Sequence, residues 1–218
     1  LALMLPNAVL FDAGGTLVLQ DPVRMATRLD HPVDTATAFE AHYRAMAEFS
    51  RLRLDGGDHT WDWWLERYFT LLGHPHPETA GVLIDRGYGL WSWPIPGVAD
   101  AIEALRASGV RVAVISNSDG SVEQSLGEAG LGSLFEEVVD SEVVGVKKPD
   151  PGIFHLALER LGMSAASTWY VGDSEYHDVG GALSAGLARA FLIDPLGLHP
   201  AVPDRITGVA DLPRLLAT

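Results

Sequence analysis

The chain alternates between short apolar runs and amphipathic stretches, and this alternation points to a fold before any single residue is considered. Apolar runs occupy Ala8–Phe11, Val110–Ile115, Glu137–Val139, Thr168–Val171 and Ala190–Ile193, each ending in small or polar residues. Short runs apolar at successive positions suit strands buried on both faces of a parallel sheet. Between them, Val98–Ala107, Ser121–Ala129, Pro151–Leu161 and Val179–Ala185 carry apolar residues at helical spacing. Each is followed closely by a glycine (Gly109, Gly130, Gly162 and Gly186), the usual signal for a helix end. The alternation predicts an α/β fold with a doubly wound, mostly parallel sheet between two layers of helices.

One stretch breaks the rhythm. From Val18 to Trp93 the pattern contains no convincing core strand, only helical patterns at Pro32–Leu54, Thr60–Leu72 and Pro77–Leu90. Asp55-Gly56-Gly57 and Gly73-His74-Pro75 separate them, and Pro94-Ile95-Pro96-Gly97 reads as the return hinge. The expected division is a core of residues 1–17 and 96–218 with an all-helical insert over 18–95.

Composition narrows the class. The 218 residues are 47% apolar and 20% charged, ordinary for a globular enzyme. A net charge of −14 excludes a nucleic-acid partner, because phosphate backbones are held by clustered Lys and Arg. With no cysteine, disulfides and thiolate catalysis are excluded. No apolar run approaches the roughly 20 residues of a membrane span. The apolar start, Leu1 to Phe11, lacks the basic flank and cleavage site of a signal peptide, so a cytoplasmic protein without a membrane partner is expected, as monomer or homodimer.

The candidate chemistry lies in four stretches, each just after a predicted strand, on the sheet edge where open α/β folds bind ligands. The first is Phe11-Asp12-Ala13-Gly14-Gly15-Thr16-Leu17, a strand-end carboxylate followed by glycines whose amides can approach an anion. The second, Val114-Ile115-Ser116-Asn117, offers a hydroxyl and an amide. The third, Gly145-Val146-Lys147-Lys148-Pro149-Asp150-Pro151-Gly152-Ile153-Phe154, contains the chain's two lysines. The fourth, Val171-Gly172-Asp173-Ser174-Glu175-Tyr176-His177-Asp178, places two acids five positions apart. Read singly, these are a turn, a helix cap, a solvated pair and a loop. Read together, they make a site.

In this order the four stretches resemble motifs I to IV of the haloacid dehalogenase superfamily, subfamily I with a helical C1 cap, over nearly the whole chain. The resemblance implies a Rossmann-like three-layer α/β/α core and a cap over 18–95. It implies Asp12 as nucleophile, with Ser116 and Lys148 on the transferring group and Gly15, Thr16 and Asn117 lining the substrate site. It implies Mg²⁺ held by Asp12, the Gly14 carbonyl, Asp173 and Asp178, and a small phosphorylated substrate. The physics is consistent, since phosphoryl transfer to a carboxylate crowds anions that a divalent cation and a lysine must offset.

Position 14 departs from the pattern. The phosphatases of the superfamily carry Asp-x-Asp, the second aspartate protonating the leaving oxygen and then activating water; here the run is Asp12-Ala13-Gly14. Loss of such a group costs roughly 10²–10⁴-fold where nothing replaces it. The dehalogenases usually have an aromatic residue there but lack the paired acids of motif IV, which this chain keeps. Phosphonoacetaldehyde hydrolases use a cap lysine, and this cap has none. The expected activity is Mg²⁺-dependent phosphatase chemistry through an aspartyl-phosphate; the alternatives are a 2-haloacid dehalogenase acting on a halogenated acid, and a catalytically weak binding module.

Within the insert, Trp61, Trp63, Trp64, Tyr68 and Phe69 read as packing residues, and Arg44, Arg51, Arg53 and His59 as candidates to face the site. His177 is expected to bond the backbone.

Overall fold

A computed structural model describes residues 5–29, 32–76 and 90–216. The insert's third helical pattern, Pro77–Leu90, lies outside the described residues apart from Leu90. Strands β1 (Ala8–Phe11), β4 (Arg111–Ser116), β5 (Glu137–Asp140), β6 (Thr168–Gly172), β7 (Arg189–Ile193) and β8 (Arg205–Ile206) form one sheet. Its order is β5-β4-β1-β6-β7-β8, and every neighbouring pair is parallel. The flanking helices are α4 (Val98–Ala107), α5 (Val122–Glu128), α6 (Ser141–Val144), α7 (Pro151–Leu161), α8 (Gly181–Ser184) and α9 (Leu212–Leu216).

Alternation along β1 shows the layering. Val9 and Phe11 point into one apolar cluster with Val98, Ile102 and Leu105 of α4 and Leu126 of α5. Leu10 points into a second, with Ile153, Phe154 and Ala157 of α7 and Ala182 of α8. Both faces of the sheet are therefore covered, which is why its strands read as continuous apolar runs. Burying that much apolar surface supplies the main favourable free energy of the core, at ~25 cal/mol per Å².

The insert has its own apolar cluster. Helices α1 (Pro22–Leu29), α2 (Thr35–Leu54) and α3 (Trp61–Leu71) bury Met25, Ala41, Ala45, Phe49, Trp64, Tyr68 and Phe69 together. Asp34 caps α2 by accepting from the Thr37 amide at 2.8 Å, satisfying one of the free amides of its first turn. Tyr43 faces the other way, into the cluster on the sheet.

The structure adds detail to the expected elements. The insert is not purely helical at its ends: β2 (Val18–Leu19) pairs antiparallel with β3 (Trp93–Pro94), so the segment read as a hinge starts, at Pro94, from the end of a two-stranded ribbon. Helix α1 precedes the first predicted helix; eight residues opening on a proline are too short to give a clear periodic signal. Strand β8 is two residues long and equally silent in sequence. The helix expected over Val179–Ala185 is present as α8, Gly181–Ser184, and is entered through a π-helical turn over Glu175–Gly180.

Candidate active site

Asp12 leaves β1 at the centre of the sheet, where strand order reverses and ligand crevices form. Phe11 pairs with Val114 on one side and Val171 on the other, and the Asp12 amide donates to the Val171 carbonyl at 2.9 Å. The sequences that end β1, β4 and β6 are thereby delivered to one edge. Asp12, Ser116, Lys148, Asp173 and Asp178 are all buried there.

Lys148 ties the edge together. Its Nζ donates to Asp12 Oδ1 at 2.5 Å, Asp178 Oδ1 at 2.7 Å and the Tyr170 hydroxyl at 3.0 Å. Its backbone is clamped by Asn117, whose Oδ1 accepts from the Lys148 amide at 2.8 Å and whose Nδ2 donates to the Lys148 carbonyl at 2.9 Å. The amide expected to line the substrate site is thus engaged in placing the lysine. Asp150 caps α7 just beyond, accepting from Gly152 at 2.8 Å, and Pro151 opens the helix.

The acids are close. Oxygen atoms of Asp12, Asp173 and Asp178 all lie within 4.8 Å of one another, a spacing that could hold a metal ion with hard oxygen ligands. Three carboxylates beside one ammonium leave an excess of negative charge in a buried place. Burial pushes Asp12 up to about 7, with Asp178 and Asp173 adding to the rise and Lys148 opposing it. Asp173 is pushed well above the usual carboxylate range, by burial first and Asp178 second. Lys148 is held above its ordinary value because Asp12 and Asp178 outweigh its own burial. A divalent cation fits this donor set, since it offsets the repulsion that raises the two acids.

Gly15 sits at φ +77°, and a Cβ there would come within 2.0 Å of Asp173 Oδ2 and 2.2 Å of His42 Nε2. No other residue type fits that turn. Thr16 Oγ1 lies 3.4 Å from Asp12 Oδ2, a long contact. Ser116 ends β4 on the same edge, and its register with Asp140 fixes its height.

The insert supplies what sequence reading missed. His42 Nε2 lies 2.7 Å from Asp173 Oδ2, and the Tyr43 hydroxyl donates to the Gly15 carbonyl at 2.7 Å. Burial lowers His42 to about 3, so the ring is neutral. Ser50 and Ser174 exchange a hydrogen bond at 2.9 Å, one helical face of α2 further on. The signal that could have found His42 is its place among Ala38, Ala41, Ala45, Met46 and Phe49, a polar residue on the buried stripe of α2. Of the arginines considered, Arg53 reaches motif IV through the Tyr176 hydroxyl at 3.5 Å, whereas Arg44 pairs with Glu40 in solvent. His59 packs against Trp63. His177 bonds the Ser174 hydroxyl through Nδ1 at 3.1 Å rather than a backbone group, and stacks on Phe49.

A doubly wound sheet with a lysine-bridged cluster of acids at its carboxyl edge defines an α/β enzyme of hydrolytic type. The chain belongs to the haloacid dehalogenase-like hydrolases, the family description that matches residues 6–186. It is 32% identical over 186 residues to human haloacid dehalogenase-like hydrolase domain-containing protein 3, covering 81% of this chain and 74% of that protein. It is 31% identical over 199 residues to the glyceraldehyde 3-phosphate phosphatase of Methanopyrus kandleri, covering 83% and 81%. The structure of 2-haloacid dehalogenase from Pseudomonas syringae superposes with a TM-score of 0.59 at 26% identity, covering 98% and 99%. Among the described residues no helix is long and apolar enough to cross a membrane.

Proposed function

We propose that this protein is a Mg²⁺-dependent phosphatase of a small phosphorylated metabolite, acting through Asp12, with residues 18–95 serving as the cap. The observation that carries this reading is the cluster itself: Asp12, Asp173 and Asp178 within 4.8 Å, with Lys148 bridging Asp12 and Asp178. Its likeness to a glyceraldehyde 3-phosphate phosphatase supports the same class.

Asp12 attacks phosphorus, a P–O bond to its carboxylate forms, and the bond to the leaving oxygen breaks, that oxygen keeping the electron pair. Water then attacks phosphorus, the bond to Asp12 breaks, and inorganic phosphate leaves with the carboxylate restored. Lys148 and Ser116 hold the non-bridging oxygens through both steps, Lys148 by charge and Ser116 by a hydrogen bond. Gly15 and Thr16 present the turn to the phosphoryl group, and Asn117 fixes Lys148. Asp12, Asp173, Asp178 and the Gly14 carbonyl would hold Mg²⁺, which when bound supplies positive charge against the developing anion. With glycine at position 14 there is no carboxylate to protonate the leaving oxygen, so leaving groups that depart without a proton are favoured.

A phosphate-release screen over sugar phosphates, nucleotides and phosphoacids, with and without Mg²⁺, tests this. Phosphate released only with metal is expected. The resemblance to the Pseudomonas syringae enzyme supports a second reading, displacement of halide from a 2-haloacid by Asp12, a leaving group that needs no acid at position 14. Halide release without metal, and no phosphate from any ester, would establish that reading instead.

A further inference from the structure

Position 14 has a neighbour that no motif announces. Trp91, two residues before β3, lays its indole on Gly14, and a Cβ built there would lie 2.9 Å from Cζ3 and 3.1 Å from Cε3. Gly14 is not among the glycines with positive φ, so it is the indole rather than the backbone that bars a side chain at this place. Trp91 stands edge-on to His42, ring centroids 5.8 Å apart, and 6.1 Å from Trp64, on which Trp61 stacks at 4.3 Å. In this wall two buried nitrogens, His42 Nδ1 and Trp64 Nε1, find no hydrogen-bond partner among the described residues. Buried polar atoms without partners are uncommon, and these belong to rings only 5.3 Å apart.

We infer that Trp91, backed by the buried rings of Trp64 and His42, is a specificity-determining residue of this site and favours planar aromatic phosphate monoesters through contact with their leaving group. The inference rests on the phosphatase reading and deepens it. In the phosphatase pattern the side chain at position 14 faces the leaving oxygen, and here an indole fills that space. Indole N–H is a donor that does not give up its proton, so the wall cannot act as a general acid. It offers instead an aromatic face, and an aryl leaving group both stacks on that face and departs as a stabilised phenolate. The absent acid and the indole that replaces it select the same substrates.

The test compares binding of phenylphosphonate and methylphosphonate, which cannot be hydrolysed, by calorimetry with Mg²⁺ present. Wild type should prefer the phenyl compound by roughly two- to tenfold, the range of an aromatic pair. Trp91→Ala should bring that ratio near one without weakening methylphosphonate, while Trp91→Phe keeps most of it. Equal affinities in wild type, or a Trp91→Ala loss shared by both ligands, would overturn the inference. So would failure of either phosphonate to bind. In turnover, Gly14→Asp alone should not improve alkyl esters, because its side chain meets the indole, whereas Gly14→Asp with Trp91→Ala should. A gain from Gly14→Asp alone would show that Trp91 does not hold the place. If no ester is hydrolysed yet the phosphonate ratio behaves as expected, the subsite stands and the phosphatase reading fails.

Discussion

His42 places Nε2 2.7 Å from Oδ2 of Asp173, although 131 positions of sequence separate them. The contact joins helix α2 of the insert to the acid that follows β6. Because the His42 Nδ1 lies buried without a partner among the described residues, the economical tautomer carries its proton on Nε2 and donates it to the carboxylate; a bare buried lone pair costs less than an orphaned N–H. A second group that bonds a metal-binding carboxylate fixes its orientation.

The first prediction follows from that orientation. His42→Ala should weaken Mg²⁺ binding by ~10–100-fold, the usual effect of losing an outer partner of a ligand, with little change in circular dichroism. Calorimetric titration checks it. Tighter Mg²⁺ binding in the variant would mean that His42 competes with the cation rather than positioning its ligand.

Asp12→Asn should reduce turnover by ~10⁴ or more, because the attacking oxygen is gone. The same change should not destabilise the metal-free protein. Asp12 is a buried acid pushed up to about 7, so deleting its charge removes repulsion toward Asp173 and Asp178. Denaturant titration at pH 8 would reveal a contrary loss.

Lys148→Met should have the opposite effect on stability. It strands Asp12 and Asp178 without their shared cation, and breaking a buried pair costs about 3–5 kcal/mol. Since Asp12, pushed up to about 7, escapes by keeping a proton at low pH, the loss should be larger at pH 8 than at pH 5. A loss of equal size at both values would locate the effect in packing instead.

How much of this was readable in the sequence follows from the range of the forces involved. The central strands were legible because a sheet covered on both faces demands unbroken apolar runs, as at Leu10, Val114 and Val171. Lys148, Asp173 and Asp178 were legible because each follows a strand end at short range. His42, Tyr43, Tyr170 and Trp91 were not, since each reaches the site only through tertiary packing. Tyr170 reads as one more core aromatic, yet its hydroxyl bonds both Lys148 and Asp178. The ribbon of β2 and β3 escaped because two residues per strand leave no period to detect.

The last prediction concerns pH. Asp12 is raised from 3.8 to about 7 and Asp173 well above its ordinary value, burial being the first cause for each. A folded acid with a raised pKa keeps a proton that the unfolded chain has released, so its contribution to stability is lost as pH climbs toward the folded value. His42 and His177 run the other way: burial lowers them from 6.5 to about 3 and about 4, so stability is lost as pH falls below 6.5 toward those values. Below pH 6.5 the two sets oppose each other; above it the histidines are neutral in both states and only the carboxylates act. In chelator, the melting temperature should therefore decline from about pH 6.5 to pH 8. Each ionising group contributes on the order of 1 kcal/mol per pH unit, and ~1 kcal/mol moves Tm by roughly 2–4 °C in a chain of this size. A cation at the cluster binds the ionised form of the acids, so Mg²⁺ should raise Tm more at pH 8 than at pH 5.5. A Tm that keeps rising to pH 8 without metal, or a Mg²⁺ effect that ignores pH, would show that the three acids are not the group the metal neutralises.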